Sequence, residues 1–268
     1  MSTEEFITAL FCRVDDLMTD VAKHPRAKLW PSEMVTLAVL FALKGRSGRA
    51  FYRWLWANWR HLFPHLPERT RLFRLFAKYQ DWAERFLAEP TLLGISDSFS
   101  VELIHPKREG RSKKQIGRKG KSNHRWIVGI KFCPLINSRG LIVDWDAEGA
   151  NVHDALFQRM LADYEAGERG MGVYVDGGFH RSTKRGGDCT NLKICKRGEC
   201  NLRMLVETLF SQLAGCMGLK KITQRAWAYV ESRLAFTAAA YNLLVCWGGA
   251  LVTDEEGRAR LSIAEFVI

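Results

Sequence analysis

Met171-Gly172-Val173-Tyr174-Val175-Asp176-Gly177-Gly178 reads as a short buried strand that stops on a carboxylate and turns at once on two glycines. An earlier stretch has the same form: the apolar run Leu92 to Ile95 leads through Ser96 to Asp97. A carboxylate is costly inside an apolar core, but it is well placed at the carboxyl edge of a sheet, where ligands bind. Two strands each ending in an acid therefore predict a sheet with a polar site along one edge.

Working outward, Trp126 to Phe132 and Leu141 to Trp145 are strand-like and flank the turn signal Asn137-Ser138-Arg139-Gly140, which predicts a hairpin. Between the hairpin and the Asp176 strand, Asn151 is a candidate cap for a helix from Val152 to about Glu165, with Ala155, Leu156, Met160 and Leu161 at helical spacing. A brief strand is expected around Leu192 to Cys195, then two long helices, Asn201 to Met217 and Arg225 to Trp247.

Upstream of Pro90 the pattern is helical throughout. Phe6, Leu10, Val14, Leu17 and Val21 mark one helix face, Pro31 opens a second helix that stops at Gly45, and two more run over 50–63 and 67–87. The order predicts an α/β chain in two regions: an all-helical N-terminal region (1–90), and a mixed sheet flanked by helices (91–268). The helices between Pro31 and Leu87 suit either a helix-turn-helix that binds DNA ends or a dimerisation layer. Trp54, Trp56 and Trp59 read as core ahead of a base-stacking surface.

The chain has 268 residues, 47% hydrophobic and 26% charged, which excludes collagen, bulk disorder and a disulfide-dense mini-protein. No window of about 18 residues is apolar enough for a transmembrane helix. The start, Met-Ser-Thr-Glu-Glu, lacks the basic opening of a secretory signal. Seven cysteines, with Cys12, Cys133, Cys216 and Cys246 inside apolar stretches, suit a reducing cytoplasmic location. Forty Lys and Arg against 29 Asp and Glu give a net charge of +11, which favours a polyanionic partner. The excess concentrates in a segment read as a mobile basic loop (104–125), with Lys107, Arg108, Arg111, Lys113, Lys114, Arg118, Lys119, Lys121 and Arg125 against Glu109. Such density predicts phosphate contacts.

A third acid, Glu207, lies in Arg203-Met-Leu-Val-Glu207-Thr-Leu-Phe-Ser211, where helical spacing places Arg203, Glu207 and Ser211 on one face. Hard carboxylates suit Mg²⁺ or Mn²⁺, and two such ions can serve phosphodiester chemistry. Ile95-Ser-Asp97-Ser-Phe99, Tyr174-Val-Asp176-Gly-Gly-Phe179 and Arg203-Met-Leu-Val-Glu207-Thr-Leu-Phe-Ser-Gln-Leu213 together resemble the three acidic motifs of DDE transposases of bacterial insertion sequences. The resemblance extends to Phe11-Cys-Arg-Val-Asp-Asp16, Arg49-Ala-Phe-Tyr-Arg53 and His153-Asp154. It implies a ribonuclease H-like catalytic domain, and two Mg²⁺ ions held by Asp97, Asp176 and Glu207, with Mn²⁺ as a substitute. It also implies Arg203 near the DNA backbone, cleavage of double-stranded DNA at transposon ends with strand transfer into target DNA, and a homodimer in the active complex. The chain departs from relatives at Gly177, where Lys or Arg is frequent, and at Cys200 and Ala214, where some groups carry Tyr and Lys.

Other readings stand beside this one. A nuclease or resolvase of the same fold would cut without joining, and a domesticated copy would bind DNA without catalysis. Asp97 and Asp176 could be turn acids and Glu207 a salt-bridge partner of Arg203. Glu102, Asp144, Asp146 and Glu148 are nearby acids, of which Asp146 is an unlikely-looking ligand at a hairpin end. Cys189, Cys195 and Cys200 with His180 lack the close CxxC pairs usual in structural zinc sites. His153-Asp154 near a helix start could give catalytic support, but Asp154 is read ahead of that as complementing a helix dipole, and His153 as packing or bonding locally.

Overall fold

The computed structural model describes residues 1–45, 47–122, 125–165, 170–181, 187–195, 203–248 and 261–266. The chain opens with four helices, α1 (Thr3–Asp16), α2 (Pro31–Lys44), α3 (Gly48–Asn58) and α4 (Arg69–Lys78), followed by a 3-10 segment over Gln80–Phe86. Their boundaries follow local chemistry. Ser2 and Glu5 form a capping box on α1, Pro31 occupies the first turn of α2, and Gly45 ends α2 in the left-handed region at φ 61°. The periodicity that ran to Val21 outlasts the helix, because the chain turns at Leu17, which is exposed.

The remainder builds a seven-stranded mixed sheet from β1 (Leu93–Ser96), β2 (Phe99–Ile104), β3 (Arg118–Ser122), β4 (Arg125–Asn137), β5 (Ile142–Gly149), β6 (Gly172–Val175) and β7 (Leu192–Ile194). β1 and β2 hold one register along antiparallel β4, with Ser96 opposite Leu135 and Phe99 opposite Phe132. They are one long strand whose pairing lapses at Asp97-Ser98. Pro134 lies across that lapse and has no N–H to give to the ladder. β5 runs antiparallel on the other side of β4, while β6 pairs parallel with β1 and β7 parallel with β6. The sheet therefore reads β7, β6, β1/β2, β4, β5 across its width.

The predicted hairpin is present and longer than expected. Its turn is held by Asn137, whose Oδ1 accepts from the N–H groups of Arg139 and Leu141, and by Gly140 at φ 78°. Two strands were not foreseen. β2 carries the acid Glu102 in its interior, and β3 lies inside the stretch read as a loop. The basic segment is thus partly an edge strand paired with β4 (Lys119 opposite Val128), a place where exposed cations are common. Gly120, within the stretch read as mobile, allows close approach: a Cβ there would fall 1.9 Å from the Ala150 carbonyl oxygen.

The expected helix from Val152 is fragmented. It comprises 3-10 turns over Asp154–Phe157 and Ala162–Tyr164 around α5 (Gln158–Leu161), capped by His153 rather than Asn151. Outside donors claim its carbonyls: Arg181 Nε takes Ala155 O (2.9 Å), Cys189 Sγ takes Gln158 O (3.3 Å) and Asn191 Nδ2 takes Leu161 O (3.0 Å). α6 (Arg203–Gly215) and α7 (Trp227–Trp247) follow.

Alternation along the strands divides the core. Ile95, Phe99, Val101, Ile130 and Phe132 face one large cluster with residues of α1, α2, α4, α6 and α7. Cys133, Leu135, Val173 and Val175 face a smaller cluster under the 154–164 segment. The boundary placed near residue 90 falls between the 3-10 segment and β1, yet the larger cluster runs across it without a break. Buried Asn242 of α7 shows how: its Nδ2 donates to Phe86 O and Ile142 O, and its Oδ1 accepts from Ile142 N–H. Arg233, also buried, caps the end of α2 through Phe41 O and Ala42 O and reaches Met217 O at 2.9 Å. Cys133 is buried as expected, whereas Cys12 and Cys246 are exposed because their positions fall on outer helix faces. No described helix is long and apolar enough to cross a membrane.

Candidate active site

The parallel register of β1 and β6 sets Ile95 beside Tyr174. Two residues further along each strand lie Asp97 and Asp176, so the same register carries the two acids side by side at the sheet's edge. Both share the face of Ile95 and Tyr174, over which α6 packs with Phe210 against Phe99 (ring centroids 5.0 Å apart). Arg203, at the start of described α6, directs a guanidinium nitrogen to Asp97 Oδ2 at 3.5 Å. Asp97 Oδ1 accepts from Ser98 N–H at 2.7 Å, and Asp176 Oδ1 accepts from Gly178 N–H at 2.8 Å.

Electrostatics set Asp97 apart from its neighbours. Burial, and then the neighbouring Asp176 carboxylate, push the Asp97 carboxyl up to about 6, with Asp154 adding to the rise and Ser98 and Arg203 opposing it. A partly buried carboxylate beside another, with only a long Arg contact, is under-neutralised. These hard oxygens fit a divalent cation in donor chemistry and charge.

Glu207 does not join them. It lies exposed on α6, one turn beyond Arg203, and has no hydrogen bond or ion pair with any described residue. Among the described residues, no group of three His, Cys, Asp or Glu side chains is gathered so as to hold a metal ion. The salt bridge of Arg203 is accordingly with Asp97, across the sheet edge, and not with Glu207 along the helix.

The structure adds a carboxylate and a cation that the sequence did not assign to the site. Asp154 Oδ1 pairs with Lys131 Nζ at 2.7 Å, both largely buried. A methyl group at Gly178 would lie 2.9 Å from Asp176 Oδ1 and 3.3 Å from Asp154 Oδ2, so the two carboxylates border one small space that glycine leaves open. His153 bonds locally as expected, its Nδ1 accepting from Ala155 N–H, but Asp154 is tied to β4. Lys131 sits in the middle of a strand as a charge inside an apolar pattern, which is the one sequence signal that could have found the pair. Beyond Asp176, Asp188 fixes the following turn: its carboxylate accepts from Gln158 Nε2 (2.8 Å) and Arg181 N–H (2.7 Å) and contacts His180 Nδ1 (2.7 Å).

The other acids weighed as ligands are engaged elsewhere. Asp146 and Glu148 share Arg159, Asp144 accepts from Tyr164 OH, and Glu102 pairs with Lys221 (2.8 Å) and Arg125 (3.5 Å). Cys189 bonds Gln158, and Cys200 lies outside the described residues, so the zinc reading gains nothing from the structure. Lys113, Lys114, Arg118, Lys119, Lys121 and Arg125 are all exposed; Lys119 contacts Glu109 at 3.7 Å and also lies over the exposed Trp126 ring. Trp54 and Trp59 pack on the core as expected, and Trp56 is exposed under Arg60. No family model, curated protein or solved structure matches this chain.

Proposed function

We propose that the chain is a metal-dependent DDE-type transposase with a ribonuclease H-like catalytic fold, acting on double-stranded DNA. The observation that carries the reading is the register that brings Asp97 and Asp176 together at the ends of two parallel strands, with Asp97 pushed up to about 6 by burial and then by the Asp176 carboxylate. The strand order, with one long strand flanked by an antiparallel ribbon and two parallel strands, supports the fold.

In this reading Asp97 and Asp176 would hold Mg²⁺ (two ions, replaceable by Mn²⁺), and Glu207, exposed one turn beyond Arg203, would have to turn toward them to serve as the third ligand. Bound divalent ions supply activation of a hydroxyl nucleophile and neutralisation of charge at the phosphate. The chain's own residues do the rest. Arg203 holds Asp97 in place and offers its remaining N–H donors to a phosphate. Lys131 pairs with Asp154 and holds it in position near Asp176. The exposed cations of the 104–125 segment neutralise the DNA backbone, so binding weakens steeply with salt. A homodimer would join two ends in one complex.

The test is cleavage and strand transfer on labelled DNA carrying the sequences that flank the coding region, in Mg²⁺. Joined products that disappear in Asp97→Ala and Asp176→Ala support the reading. Nicks without joining would identify a nuclease or resolvase. The exposed, unengaged Glu207 is what favours the other alternative, a non-catalytic DNA-binding protein, and binding with no cutting by the wild type would establish it.

A further inference from the structure

We propose that the groove between the chain preceding α2 and helix α4 is a binding site for single-stranded DNA. It is a cavity of about 880 Å³ in the helical region, lined by no residue of the sheet edge that carries the two carboxylates. Arg26 and Lys28 enter it from one side, and Arg71 and Lys78, two turns apart on α4, from the other. Glu68 is the single carboxylate among its described lining residues. Arg26, Lys28 and Arg71 make no ion pair with any described carboxylate, so the groove holds cations whose natural counter-charge must come from outside.

Charge alone would suit any polyanion; the rings narrow the choice. Trp30, Tyr79 and Trp82 line the same space, and Trp30 is 55% exposed although it is a large aromatic. Tyr79 and Trp82 are stacked at 4.3 Å with planes 17° apart, and Lys23 lies over Trp30 at 4.6 Å. Leu29, Met34 and Leu75 supply an apolar floor. The exposed ring of Trp30, backed by the Tyr79–Trp82 stack and set beside unneutralised cations, is what a strand with unpaired bases needs, since the ring stacks a base while the cations track phosphates. A duplex hides its base faces and would leave the rings unused. The inference deepens the functional reading above, and rests on it for the choice of DNA.

Fluorescence anisotropy of the full chain with a short labelled oligothymidylate, compared with a duplex of the same length, tests it. The single strand should bind more tightly than the duplex. Trp30→Ala should lose about tenfold or more while Trp30→Phe retains binding. Arg71→Ala with Lys78→Ala should lower the slope of log affinity against log salt by about 1.4, the loss of two phosphate contacts. Arg139→Ala, which removes an exposed cation outside the groove, should bind like the wild type. Circular dichroism checks that each variant folds. Unchanged single-strand binding by folded Trp30→Ala and by the double variant would overturn the proposal, as would displacement by polyglutamate as effective as by oligothymidylate. Groove-dependent single-strand binding by a wild type that performs no strand transfer would sustain the groove and sink the transposase reading alone.

Discussion

Asp97 concentrates the account at the scale of one residue. Its carboxyl titrates near 6 in the fold against 3.8 as the ordinary value, chiefly through burial and Asp176. The folded chain therefore binds more protons than the unfolded chain between about pH 4 and 6, and stability falls as pH rises across that window. At neutral pH the strain is on the order of 2–3 kcal/mol. Thermal unfolding should accordingly show Asp97→Asn more stable than the wild type at pH 7 and no more stable at pH 4. Mg²⁺ should raise the wild-type Tm and leave that of Asp97→Asn nearly unchanged. Gly178 makes a second residue-scale prediction. An added Cβ would press on Asp176 Oδ1 at 2.9 Å and crowd Asp154, so Gly178→Ala should cut strand transfer at least about tenfold, roughly 1.4 kcal/mol in barrier, with unfolding little changed. Gly177→Ala is the control, because its Cβ would meet nothing within 4 Å.

Among the elements, α2, α7 and the segment that follows α6 are coupled through Arg233. Burial lowers this guanidinium to about 9, still charged at neutral pH, and its donors go to Phe41, Ala42 and Met217 carbonyls while Phe41 lies under its plane. Removing it strands three buried carbonyls, so Arg233→Met should destabilise the chain by about 3 kcal/mol in urea unfolding. β3 shows the opposite use of charge. Its Arg118 and Lys121 are exposed on an edge strand, and replacing both by Gln should weaken duplex binding across all sequences and lower the salt slope by about 1.8 without lowering Tm. These two elements also show what the sequence carried and what it did not. β1 and β6 were legible because an apolar run broken by an acid is a local pattern. β3, Arg-Lys-Gly-Lys-Ser, has no such pattern and is a strand only because β4 supplies its partner groups. β2 was hidden by Glu102, whose burial is compensated by Lys221 and Arg125 from other parts of the chain. The helix from Val152 was legible in its apolar spacing, but the donors that break it come from Arg181, Cys189 and Asn191, beyond any local window.

Over the whole molecule, the change of character near Pro90 was plain in the sequence, and the shared core was not. α7 is buried almost all round, and Asn242 ties it to both sides of that boundary, so the helical region and the sheet support each other. The candidate site shows the same division. Asp97, Asp176 and Arg203 were readable from motif and spacing, and the fold gathers them. Lys131 and Asp154 were not, since only the packing of the 154–164 segment against β4 brings them together. Glu207 remains exposed at the site's margin, which makes it the sharpest point of contact between resemblance and geometry. The most direct test is therefore a strand-transfer assay in Mg²⁺ with the chain's own flanking DNA, comparing the wild type with Glu207→Ala and Glu207→Gln. The account predicts joined products from the wild type, a loss of about a thousandfold or more in both variants, roughly 4 kcal/mol, and undiminished DNA binding. Strand transfer by Glu207→Ala at the wild-type rate would contradict it.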